Sequence, residues 1–280
     1  MTAPGPDSTE HAHNTAELRI EQGGAMEASV DTQELEAKVK DMYRHVAEEP
    51  GGKYHFELGR PLAEHLGYPA DVLERIPAGA IESFAGVGYF FDLAELSEGE
   101  SVVDLGSGSG MDLFFAAMGV GPSGSVVGVD FTVEQLEKAR RIAEEAGFTQ
   151  VELREGRIER LPLEDASCDC VISNGVINLA PEKGVVFAEV ARVLKTGGRV
   201  AIADIVSEQQ MKESIVCDAD LWASCIGGAA QQDAYREAIE GAGLRIEEIR
   251  DNPYEFISDR ARDASVKYGV KSVSLLAVKP

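Results

Sequence analysis

The sequence predicts a three-layer, Rossmann-like α/β fold with a mostly parallel sheet of seven strands, preceded by an N-terminal helical and aromatic segment. Three observations carry that prediction. Apolar, β-branched runs alternate with helix-patterned stretches along residues 97–280. The run Val102-Val103-Asp104-Leu105 leads directly into the glycine-dense turn Gly106-Ser107-Gly108-Ser109-Gly110 and then a helical stretch from Met111. A second strand, Ser125–Asp130, ends on a carboxylate roughly 20 residues later. Strand, tight turn, helix and acid-tipped strand are how an open α/β sheet holds a nucleotide-type cofactor.

The elements follow in order. Residues 1–30 are small and polar without sustained periodicity, a flexible tail in which His11 and His13 are solvated. Leu35, Val39, Met42 and Val46 fall at helical spacing within residues 31–48, and Pro50-Gly51-Gly52 stops that helix. Residues 53–96 hold Tyr54, Phe56, Tyr68, Phe84, Tyr89, Phe90 and Phe91, together with His55 and His65. Residues 31–96 thus read as a helical cap segment. Its aromatics fit either a cover over the cofactor site or an acceptor pocket, or else plain packing against the main domain.

Within that domain, Thr132 with Gln135 three residues on predicts a capping box for a helix that Gly147 closes. Residues 151–153, 168–174 and 199–204 read as the third, fourth and fifth strands, with a helix over 183–194 closed by Thr196-Gly197-Gly198. Residues 206–232 are irregular and are the candidate acceptor-site or lid insertion. A helix over 233–242 and strands over 244–249 and 272–278 complete the chain. The last two strands fit a parallel crossover and a closing antiparallel edge equally well.

Composition narrows the function. The 280 residues suffice for one α/β domain with an appended segment. A net charge of −23, from 49 acidic against 26 basic residues, argues against nucleic acid or a membrane surface as partner and for a small-molecule acceptor. No apolar run approaches the roughly 18–20 residues of a membrane span, and the N-terminus lacks the pattern of a signal peptide. Cys168, Cys170, Cys217 and Cys225 give no disulfide framework, so a reducing cytoplasm is the expected setting, with no resident metal. Oligomeric state is not encoded legibly.

The turn chooses the cofactor. A dinucleotide site needs G-x-G-x-x-G to bring backbone amides onto a pyrophosphate, whereas here the glycines run G-x-G-x-G and position 111 is Met. Asp104, at the mouth of the turn, opposes a pyrophosphate and suits a cation. S-adenosylmethionine (SAM) has no phosphate and carries an ammonium and a sulfonium, and Asp130 suits both ribose hydroxyls.

Several segments together resemble the class I SAM-dependent methyltransferases: the Asp104 to Gly110 loop, Gly128-Val129-Asp130, residues 155–162, and Arg192-Val193-Leu194-Lys195-Thr196-Gly197-Gly198. Within them, Val102 to Thr132, Ser173-Asn174-Gly175-Val176-Ile177-Asn178-Leu179 and Cys225-Ile226-Gly227-Gly228-Ala229 look most like the bacterial and archaeal arsenite methyltransferases. The resemblance runs from about residue 70 onward. It implies that Asp104, Gly106 and Gly108 flank the methionine part of SAM, with Ser107 and Gly110 shaping the turn. It also implies Asp130 on the ribose and Phe131 against the adenine; where many relatives have an acid contacting the adenine amine this chain has Arg157, and, as in the arsenite-type branch, the backbone near Ile158 takes that place. Asn174 borders the methyl group and acceptor, and S-adenosylhomocysteine (SAH) is the product.

Departures from the family pattern bear on the acceptor. Arsenite methyltransferases hold As(III) with three thiolates, as a soft centre prefers sulfur. Where they have Gly-Cys-Gly this chain has Gly86-Val87-Gly88, and where they have Ser-Asn-Cys it has Ser173-Asn174-Gly175. Only Cys225 remains, with Cys217 as a possible substitute. Cys168 and Cys170, two apart on a strand, are expected to share a face, Cys170 in the core. All five histidines lie in the first quarter of the chain, so a base, if used, is His55 or His65 reaching over the site, a carboxylate or a tyrosine. The leading expectation is methyl transfer to an organic small molecule, with Asn174, Cys225 and His55 as candidate catalytic residues. The alternatives are arsenite methylation through Cys225 and another thiol, a SAM-binding protein without turnover, and an unusual SAM-using reaction such as cyclisation.

Overall fold

The computed structural model describes residues 32–54, 56–216, 222 and 226–280. Helix α1 (Thr32–Glu48) comes first, followed by four short helices, α2 (Gly59–His65), α3 (Ala70–Leu73), α4 (Ala78–Ile81) and α5 (Phe91–Ala94). The sheet then builds from β1 (Ser101–Leu105), β2 (Ser125–Asp130), β3 (Val151–Glu155), β4 (Cys168–Asn174), β5 (Leu194–Ser207), β6 (Ala230–Gln231), β7 (Arg245–Asp251) and β8 (Lys271–Val278). Helices α6 (Met111–Val120), α7 (Val133–Ala146) and α8 (Lys183–Val193) connect the parallel strands. The order is β3-β2-β1-β4-β5-β8-β7, with the two-residue β6 pairing onto β5.

Strands β1 to β5 pair in parallel, and β8 is inserted antiparallel between β5 and β7. The antiparallel edge is therefore the correct choice of the two left open by the sequence. A helix at Asp259–Tyr268, which the sequence pattern does not announce, makes the connection from β7 to β8. Its N-cap is Ser258, whose side chain accepts from Ala261 N, and Gly269 in the left-handed region closes it.

Chain order reverses between β1 and β4, and in such sheets ligands bind at that switch point, beyond the carboxyl ends of the strands. Register brings Leu105 level with Val129 on one side and Ser173 on the other. Asp104, Asp130 and Asn174, scattered over 70 residues of sequence, therefore meet at the carboxyl ends of neighbouring strands.

The aromatics of the N-terminal segment are mostly core. Tyr68, Phe84, Phe90 and Phe91 share one hydrophobic cluster with Val102, Met111 and Phe114 of the sheet domain, and Phe91 stacks on Phe115 with ring centroids 3.9 Å apart. Three local expectations need correction. Cys168 and Cys170 lie on opposite faces, in separate hydrophobic clusters, because a register shift between them breaks the strand alternation. Thr196-Gly197-Gly198 does not cap a helix: it is the start of β5, where Gly197 N donates to Lys279 O and Lys279 N to Gly198 O, both at 2.8 Å. The Thr132–Gln135 capping box does not form, since Asp130 Oδ1 accepts from Thr132 N at 2.8 Å and Gln135 is engaged elsewhere. No helix among the described residues is long and apolar enough to cross a membrane.

Candidate functional site

Two adjoining hollows of about 720 and 600 Å³ form one groove beyond the ends of β1, β2 and β4. The first is lined by Asp104, Gly106, Ser107, Gly108, Gly110, Asp130, Phe131 and Asn174, and reaches Phe84 and Gly86. The second runs from Gly106, Asp130 and Phe131 to Arg157 and Ile158. The groove thus brings together every described residue that the sequence nominates for cofactor binding.

The alternate glycines have a backbone reason. Gly106, Gly108 and Gly110 have φ of 68, 52 and 97°, a region that costs other residues steric strain. A Cβ on Gly106 would also stand 2.4 Å from a Val176 methyl group. These turns fold the loop back over β2, with Gly106 N donating to Val129 O at 2.7 Å. Asp130 fixes the loop from below, its Oδ2 accepting from Gly108 N at 2.9 Å.

The electrostatics suit a cation. Asp104, Asp112 and Asp130 are all buried at the groove. Burial, then the charges of Asp112 and Asp130, hold the Asp104 carboxyl well above the usual carboxylate range. Burial pushes Asp112 up to about 6, against hydrogen bonds from Tyr68 and Asn174 that favour its ionised form. Asp104 Oδ2 and Ser107 Oγ are buried without a protein partner. Orphaned acceptors beside a like-charged cluster fit a cationic ligand with hydrogen-bond donors, as SAM is, and repel a pyrophosphate.

At the other end, Asn174 is a clamp. Its Oδ1 accepts from Val87 N at 2.7 Å and Gly88 N at 3.3 Å, while Nδ2 donates to Asp112 Oδ2 at 2.9 Å and Gly88 O at 3.0 Å. Its amide thereby ties residues 86–88 to α6 and holds the wall of the hollow. Val87 is buried, and a Cβ placed on Gly175 would stand 3.2 Å from its Cγ1. The two positions that are cysteine in the arsenite-type pattern are thus neighbours here, with valine methyls in the space between.

The candidate His65 is not at the groove: its Nε2 is bonded to Pro253 O at 2.6 Å on the outer surface. His55, Cys217 and Cys225 lie outside the described residues. Burial pushes the Cys168 and Cys170 thiols up to about 12, which leaves them core side chains. The segment next to Cys225 is nonetheless fixed. A Cβ on Gly227 would stand 2.2 Å from Trp222 Cδ1, and one on Gly228 1.9 Å from Asn178 O. Gly228→Ala is therefore expected to destabilise the fold by about 1–3 kcal/mol, read as a lower denaturant midpoint at unchanged m-value.

Sequence reasoning misses the groove roles of Asp112 and Gln135, both buried in the groove wall, and the wall that α1 supplies through Leu35, Glu36, Val39 and Tyr43. The spacing of Leu35 and Val39 is visible in the sequence, but their burial against a groove rather than a core is not.

Comparison with known proteins gives a consistent result. A family model described as a methyltransferase domain matches residues 96–243. An arsenite methyltransferase of Halobacterium salinarum is 40% identical over 82% of this chain and 59% of its own length. Another, of Aquipseudomonas alcaligenes, is 44% identical over 59% of this chain and 50% of its own. The chain therefore spans between half and three fifths of these curated relatives. Among solved structures, an arsenic(III) SAM methyltransferase of Chlamydomonas reinhardtii superposes with a TM-score of 0.59 at 31% identity, covering 78% of this chain and 72% of that one.

Proposed function

The chain belongs to the class I SAM-dependent methyltransferases and is related to the arsenite methyltransferases, and we propose that trivalent arsenic, bound to sulfur, is its methyl acceptor. The observation that carries this reading is the likeness to an arsenite methyltransferase, 40% identical over 82% of this chain and 59% of that protein. The chemistry is compatible: an As(III) centre attacks through its own lone pair and has no proton to lose, whereas an alcohol or ammonium acceptor must be deprotonated.

SAM, when bound, supplies a methyl group activated on its sulfonium. The residues do the positioning: Asp104 and the Gly106 to Gly110 loop hold the methionine end, Asp130 the ribose, and Phe131 with the Arg157–Ile158 backbone the adenine. Asn174, through its clamp on residues 86–88, sets the distance between acceptor and methyl, which for in-line displacement is about 3–3.5 Å. Cys225 is the thiolate of the pattern that this chain retains.

The contact between Val87 and Gly175 favours a second reading, an organic soft acceptor such as a thiol or stabilised carbanion, since hydrocarbon fills the space of two thiolates. The experiment that separates the two is methyl transfer from labelled SAM to arsenite with glutathione present. The arsenic reading expects methylarsenical from the wild type and at least a tenfold lower kcat/KM in Cys225→Ser. No methylarsenical from protein that binds SAH would reject arsenite in favour of the organic acceptor.

A further inference from the structure

Helix α1 lies over the groove. Only four of its residues are buried, and two of these, Leu35 and Val39, line the groove, together with Glu36 and Tyr43. Half of the helix's buried apolar face therefore borders the groove, with Leu35 and Val39 2% and 3% exposed and clustered with Trp222.

The ties that hold α1 are uneven along its length. At its C-terminal end Ser83 Oγ donates to Val46 O at 3.1 Å and Lys138 Nζ to Ala47 O at 3.2 Å, with Lys138 further bonded to Glu82 and Ser83. Toward its N-terminal end the ties include the Glu36–Arg157 ion pair, whose side chains are 30% and 53% exposed, and Lys40 Nζ 5.1 Å from the centre of the Phe131 ring. An ion pair so exposed contributes little to holding the helix down. In the middle stands Gln135, which is 2% exposed. Its Nε2 donates to Tyr43 O at 2.8 Å, and its Oε1 accepts from Ser109 Oγ. One amide therefore joins the cofactor loop to the helix above it.

We propose that Gln135 is a positioning residue that couples occupancy of the Gly106 to Gly110 loop to closure of the N-terminal half of α1, which opens about its anchored C-terminal end to admit SAM and release SAH. When the loop is held by ligand, Ser109 is fixed, the amide is fixed through it, and Tyr43 O is pinned. Leu35 and Val39 then close on the ligand. The same two residues pack against Trp222, the only tryptophan of the chain, so closure also seats the segment beside Cys225. This places cofactor before acceptor in the order of binding. The inference rests on the groove being the SAM site.

The test is hydrogen–deuterium exchange over residues 32–43 with and without SAH, combined with the SAH dissociation rate read from Trp222 emission. In the wild type SAH is expected to slow exchange of these amides. Gln135→Met, which keeps length and loses both hydrogen bonds, is expected to raise the dissociation rate about tenfold and abolish most of that protection. Ser109→Ala, which breaks the loop side alone, is expected to give a smaller change in the same direction, and it serves where Gln135→Met folds poorly. A purely structural Gln135 would lower Tm and leave the SAH-dependent protection intact, which would overturn the proposal. Wild-type protein that binds SAH without protecting α1 would also overturn it. Failure of the wild type to bind SAH at all would instead remove the cofactor assignment beneath it.

Discussion

Asp130→Ala is expected to weaken SAH binding by about a hundredfold or more. The carboxylate ends β2 at the centre of the groove, and we assign both ribose hydroxyls to it. Hydrogen bonds to a charged group are each worth about 1.5–3 kcal/mol, so losing two costs about 3–6 kcal/mol of binding. The substitution also frees Gly108 N and Thr132 N, which Asp130 now satisfies at 2.9 and 2.8 Å, so the loop loses its brace as well as its ligand contact. Titration calorimetry with SAH checks this, with circular dichroism to show that the sheet is retained. A loss of less than tenfold would mean that the ribose lies elsewhere.

The second large effect runs the opposite way for stability and for function. Asp104 is buried beside Asp112 and Asp130, and its Oδ2 has no partner. Its carboxyl is held well above the ordinary value by burial and by those two neighbours. Asp112 shares the direction, at about 6. An acid whose pKa is raised in the native state binds more protons folded than unfolded, so stability falls as pH rises from the unfolded value near 4 toward the native one. Ligand-free wild type should therefore lose stability from about pH 4 through pH 6 and beyond. Asp104→Asn removes the buried charge and the repulsion it exerts. It is expected to raise the Tm of ligand-free protein at pH 8 by several degrees, with the gain vanishing near pH 4. The same variant should bind SAH more weakly, because the cation loses its counter-charge. Thermal melts across pH, with and without SAH, check both halves. A destabilised Asp104→Asn at pH 8 would show that the carboxyl has a favourable role in the empty groove.

Asp104 and Asp130 are both legible in the sequence, and the reason is local. A strand, an alternate-glycine turn and an acid-tipped second strand are specified within 30 residues of chain, and the φ values of Gly106, Gly108 and Gly110 are the backbone cause of that pattern. What the sequence hides is set by partners distant in the chain. Gln135 stands where a capping box would use it, yet Asp130 takes over the cap and frees it to join Ser109 to Tyr43. Asp112 sits in the first turn of an apolar helix, where an acid is ordinary. Only Tyr68 and Asn174, 44 and 62 residues away, make it part of the groove. The aromatic run is decided by packing that the sequence leaves open: most of its rings join the core, Phe84 also reaches the groove, and α1 supplies more of the groove wall.

The central claim is that SAM lies between α1 and the ends of β1, β2 and β4. Its most direct test is photocrosslinking of methyl-labelled SAM, followed by peptide mapping with and without excess SAH. Label should appear in peptides that contain residues 104–112, 130–135 and 35–43, and SAH should compete it away. Label concentrated instead in the shallow hollow lined by Arg140, Phe148 and Leu153, or label indifferent to SAH, would contradict the account.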